Sequence, residues 1–211
     1  MQVKGKAVVL ENFIMKKINL ILFLTVLAFL NSYSQEELVL RNRIDALLKL
    51  TEEKNYEKIL DYTYPKLFTI ATKEQLIEAL QSSLESDEFS IKIDSLKIDT
   101  IFPSFRVKTE SFAKIRHSLR MQMKFKEPVT DSTDADERKS MANQMEKEMG
   151  TGNVSYDPAT DALIIRIMAV IVAIKDDKDN IWYFVSLDED NQVIIDRLFS
   201  KEVQKKMKEY N

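Results

Sequence analysis

The chain has 211 residues, a formal net charge of −3 at pH 7, and neither a cysteine nor more than one histidine. Without cysteine it builds no disulfide framework, cysteine-linked lipid anchor, thiolate metal site or thiol nucleophile. A site needing two imidazoles is excluded as well, and the acidic balance argues against a general nucleic-acid or anionic-membrane surface.

Met15 to Gln35 reads as a secretory signal: Lys16 and Lys17, an apolar run from Leu20 to Leu30, then Asn31-Ser32-Tyr33-Ser34. The run is shorter than the roughly 20 residues that cross a bilayer as a helix. Ser32 and Ser34 stand at the third and first positions before a cut. Cleavage is therefore expected between Ser34 and Gln35, giving a secreted or periplasmic protein with no stable membrane anchor; the alternative is an uncleaved anchor. Met15 is the expected start, with residues 1–14 an upstream extension that no signal requires. Losing residues 1–34 removes Lys4, Lys6, Lys16, Lys17 and only Glu11, so the remainder is more acidic. Residues 35–211 have the length of one domain.

Helical periodicity comes first. Glu36 to Glu53 places Leu40, Ile44, Leu47 and Leu48 on one face, and Tyr56 to Tyr64 continues with Ile59 and Leu60 until Pro65 interrupts. Thr72-Lys73-Glu74-Gln75 is a capping-box pattern ahead of Leu76, Ile77, Leu80 and Leu84, which predicts a helix from about Lys73.

From Phe89 the period changes to two. Phe89, Ile91 and Ile93 alternate with polar residues, and Leu96 and Ile98 resume the pattern before Pro103. Phe112 to Phe125 puts Ala113, Ile115, His117, Leu119, Met121, Met123 and Phe125 on one face, with Lys114, Arg116, Ser118, Arg120, Gln122 and Lys124 on the other. That predicts one buried and one wet face. Glu127 to Thr160 interrupts the strands; its middle is helical, with Met141, Met145 and Met149 recurring every fourth residue and Gly150 as the stop. This insert is either a surface helix laying its methionines back on the domain or a mobile lid or partner-binding helix. Ala162 to Ile174 is almost wholly apolar and predicts a strand covered on both sides. Ile181 to Leu187 and Gln192 to Ile195 predict two more antiparallel strands, with polar turns at Asp176 to Asn180 and Asp188 to Asn191. Ser200 is positioned to cap a last helix ending near Tyr210.

Helices followed by antiparallel strands predict an α+β domain with its helices on one face of a curved sheet. The order Tyr56 to Leu60, Asp61-Tyr62-Thr63-Tyr64-Pro65-Lys66-Leu67-Phe68, Lys73-Glu74-Gln75-Leu76, long strands, and late Trp182-Tyr183-Phe184 resembles the NTF2-like, cystatin-like cone of small secreted bacterial proteins. The likeness covers about Glu36 to Leu198 in element order, and only the segment around Tyr64-Pro65 is sequence-specific. It implies a pocket on the concave side of the sheet and a homodimer through the sheet.

Chemistry has few places to reside. Gly5, Gly150 and Gly152 make no phosphate loop, no Gly-x-Ser-x-Gly elbow exists, and no Asp-x-Asp-x-Asp-Gly calcium loop appears among the acidic turns. His117 is the one group able to act as a base near neutral pH, and its phase places it on the apolar face. It is either a core histidine or, beside Tyr62, Tyr64 or Asp61 in a pocket, a proton carrier of the kind NTF2-like isomerases and dehydratases use. Arg166 interrupts an apolar strand, so it is ion-paired, led to solvent, or turned to the cavity to meet an anion. The candidate ligand-binding residues are Tyr62, Tyr64, His117, Met121, Arg166 and Trp182; no metal site and no cofactor is expected.

Read together, these features give a non-catalytic module binding a small molecule or an envelope protein, and no nucleic acid. The alternative is a cofactor-independent isomerase, dehydratase or hydrolase using His117. A third reading has the insert recruit a partner.

Overall fold

The computed structural model describes residues 35–187 and 192–210. The expected signal and the turn expected at Asp188 to Asn191 lie outside the described residues. The chain divides after Arg43 into two compact units. Of the first, residues 35–43 are helical. The second unit carries α1 (residues 44–52), α2 (Tyr56–Ile59) running into a 3-10 turn (Leu60–Tyr62), a second 3-10 turn (Pro65–Thr69) and α3 (Lys73–Leu84). The strands and later helices follow: β1 (Phe89–Ile101), β2 (Phe105–Val107), β3 (Glu110–Phe125), α4 (Ser132–Met149), β4 (Val154–Asp157), β5 (Ala162–Asp176), β6 (Trp182–Leu187), α5 (Gln192–Leu198) and α6 (Lys201–Lys208). The class is α+β, and no helix among the described residues is long and apolar enough to cross a membrane.

Local chemistry sets the helix ends. At α3 the Thr72 hydroxyl accepts from the Gln75 amide while the Gln75 side chain accepts from the Thr72 amide, so both halves of the capping box form. The Asp131 carboxylate caps α4, which stops at Gly150, whose φ of 96° suits a residue without a Cβ. Ser200 caps α6 through the Val203 amide. The segment Gln192 to Ile195, expected as a strand, is instead the start of α5. Its apolar Ile195 and Leu198 stand three apart and are buried together, a helical spacing that four residues of alternation could not distinguish.

Every strand pair in the sheet is antiparallel. β3 and β5 form its middle, paired from Glu110 opposite Asp176 to Lys124 opposite Ala162. β1 and β2 share the outer edge of β3, and β4 and β6 share that of β5. Register shifts between Ile93 and Ser95 and between Ile98 and Thr100 place bulges in β1, which bend a long edge strand.

The N-terminal helices pack on one face of the sheet, as expected, but the other face, expected to be wet, also receives helices at one end. On the face of His117, α1 to α3 cover one end and α4 the other. There Met145 and Met149 pack with Met121, Met123, Phe125 and Tyr156 around buried Ala142, Val154, Leu163 and Ile165. The methionine stripe is thus laid back on the domain, except Met141, which is exposed. On the opposite face, α5 and α6 bury Ile195, Leu198, Phe199, Val203 and Met207 against Phe112, Val172, Ile174 and Val185. Each such side chain taken from water contributes about 1.5–3 kcal/mol. Lys114, expected on the wet face, is consequently buried at the end covered by α5 and α6. β5 departs from expectation in the other sense: Arg166 and Met168 are exposed, so its middle is covered on one side only.

Candidate functional site

A cavity of about 390 Å³ lies between α1 to α3 and the sheet. Its floor is made by side chains that alternation sends to one face: Leu96 of β1, His117 of β3, Ile171 of β5, and Phe184 and Ser186 of β6. Its walls are Leu47, Leu48 and Thr51 of α1, with Ile59, Leu60, Tyr62 and Thr63 from the turn that follows. Leu76 and Leu80 of α3 close one side. The hydroxyls of Thr51 and Thr63 turn back to the Leu47 and Ile59 carbonyls, which leaves their methyl sides to the cavity. Among the described residues no Asp, Glu, Lys or Arg lines it.

His117 is therefore the one titratable imidazole in an apolar enclosure. It is buried, and its Nδ1 has no hydrogen-bond partner among the described residues. Burial holds its pKa below the ordinary 6.5 because the imidazolium would lose its hydration; the negative charge of Asp99 opposes this and is the weaker effect. At neutral pH the ring is neutral, with one nitrogen able to donate and the other to accept. It can hydrogen-bond a polar head group or take up a proton. No carboxylate among the described lining residues orients it as an acid partner would in a relay.

Of the six residues singled out from the sequence, Tyr62 and His117 meet in this cavity. Tyr64 turns away: its hydroxyl donates to Glu110 at 2.8 Å, and its ring packs against the cluster under α5 and α6. Burial, then the bond to Glu110 and the charges of Glu110 and Asp176, hold the Tyr64 phenol far above its ordinary pKa. Met121 lies under α4. Trp182 is buried, with the Lys175 ammonium over its ring. Arg166 stands on the opposite face of the sheet, in a groove with Arg120 and Met168, and makes no ion pair among the described residues. Asp61 does not line the cavity.

Sequence reasoning missed the leucines of α1 and α3, because an amphipathic face reads the same whether it meets packed side chains or a void. It also passed over Ser186, two residues beyond Phe184 and so on the same face, where a polar group in an apolar band was the available signal. Among the described residues no group of His, Asp and Glu could hold a metal ion. No family model matches the chain, and no curated protein matches it.

Proposed function

We propose that the protein is a secreted or periplasmic binding module of the NTF2-like type, which takes a small apolar ligand carrying one hydrogen-bonding group into the cavity above His117. The observation that supports this most is the state of α3. The helix is properly capped and amphipathic, yet none of its residues is buried, and Leu76 and Leu80 line the cavity. A helix contributes to stability by burying its apolar stripe; here an occupant would complete that burial. The volume sits at the small end of the roughly 300–1,000 Å³ typical of ligand sites, and the lining is apolar apart from His117, Tyr62, Ser186 and two threonines whose hydroxyls are engaged. A proton-transfer enzyme ranks second, since the base is present but no acidic or cationic partner shares its cavity among the described residues.

Fluorescence titration with the uncharged probe N-phenyl-1-naphthylamine tests the reading. Saturable enhancement with one site per chain is expected, weakened at least tenfold by Leu80→Trp, which fills the cavity from its half-exposed wall. Equal affinity in the two proteins, or no enhancement in either, would refute it.

A further inference from the structure

The uncovered end of the other sheet face is grooved. Beyond the reach of α5 and α6, a groove of about 680 Å³ runs over β3 and β5, lined by Lys97, Arg120, Arg166 and Met168, with Met149 and Asn153 at one side. Arg120 and Arg166 are direct cross-strand partners. Like charges so placed stand roughly 5 Å apart at Cβ and destabilise the pair. Asp94 relieves part of this, accepting from Arg120 at 2.6 Å. Asp94 also meets Lys92, Asp99 accepts from the Ser118 hydroxyl, and the charge of Asp157 also reaches Arg120. Arg166 and Lys97 have no carboxylate partner among the described residues. The result is a locally cationic groove on a chain of negative net charge. Beside it Met168 is 77 % exposed, the most exposed large apolar side chain among those described.

We infer that this groove binds a soluble amphiphilic oxyanion, its phosphate or carboxylate head held by Arg166 and Arg120 and its apolar part lying over Met168. Guanidinium forks match both kinds of head bidentately, and an anion between two opposed arginines turns their repulsion into attraction. The chain's overall negative charge opposes adsorption to an anionic membrane, which favours a discrete ligand. This site lies on the sheet face opposite the cavity and does not depend on it.

Isothermal titration of the full chain with decyl phosphate, kept below micelle formation, tests the inference. One site per chain is expected, at least tenfold tighter than inorganic phosphate. Arg166→Gln should weaken it at least tenfold and Met168→Ser severalfold, while Leu80→Trp leaves it unchanged. Since Arg166 and Met168 are exposed, neither variant disturbs the core. Binding unaffected by Arg166→Gln, inorganic phosphate as tight as decyl phosphate, or binding confined to phosphatidylglycerol vesicles would each overturn it.

Discussion

Replacing His117 by leucine should stabilise the empty protein, and increasingly so as the pH falls. A buried polar atom without a partner costs about 1–3 kcal/mol, and Nδ1 is such an atom among the described residues. Leucine removes that cost and adds apolar surface to an apolar cavity, against a shape penalty of up to about 1.5 kcal/mol. A net gain near 1 kcal/mol corresponds to about 2–4 °C in Tm for a chain of this size. The pH dependence follows from the lowered pKa. Between the folded value and 6.5 the unfolded chain binds a proton that the folded one does not, so the neutral histidine's contribution is fully present above about 6.5 and is lost as the pH drops towards the folded value. The slope is at most about 1.4 kcal/mol per pH unit for one proton. His117→Leu has no such loss. Thermal unfolding followed by circular dichroism at pH 8, 7, 6 and 5 isolates the effect, because every other group titrates alike in the two proteins. A variant less stable than wild type at pH 8, or a difference constant across the series, would mean that the buried imidazole carries no such cost.

Three further outcomes are expected. Phe112→Ala, which empties a fully buried site stacked on Phe105 and edge-on to Phe199, should cost about 3–5 kcal/mol in denaturant unfolding; a cost under about 1 kcal/mol would mean that α5 and α6 do not share one core with the sheet. Thr72→Ala breaks the capping box and should lower stability by about 1 kcal/mol, with faster amide exchange concentrated in the first turn of α3; uniform exchange changes would contradict this. Met145→Ser with Met149→Ser removes the contacts that hold α4, so trypsin should cleave at Arg138 and Lys139 severalfold faster, and an unchanged rate would show that the methionines do not anchor the helix.

Features set by adjacent residues are legible in the sequence alone. The capping box at Thr72, the Ser200 cap and the Gly150 stop all form as expected. Features set by the returning chain are not. That α5 and α6 cover Phe112 and Lys114 depends on where the C-terminal segment docks, which no period in β3 encodes. The opposition of Arg120 to Arg166 is a matter of β3–β5 register, and a one-residue slip would abolish it. The phase of His117 is readable, and it correctly puts the ring on the face where the cavity lies. That Tyr62 lines the cavity while Tyr64 does not follows from the turn between them, where Thr63 bridges to Phe184 and sends the two rings to different sides.

His117 is the chain's single histidine, so its ring nitrogens give unambiguous signals in a long-range ¹⁵N–¹H correlation spectrum. Titrating 1-octanol, an apolar chain with one hydroxyl, is the most direct test of ligand binding above His117. Both ring resonances should start at a neutral-imidazole position at pH 7 and shift to saturation at one equivalent of bound ligand, with the response lost in Leu80→Trp. Ring signals that stay fixed while octanol binds, or that titrate as those of a solvent-exposed imidazole, would contradict ligand binding above His117.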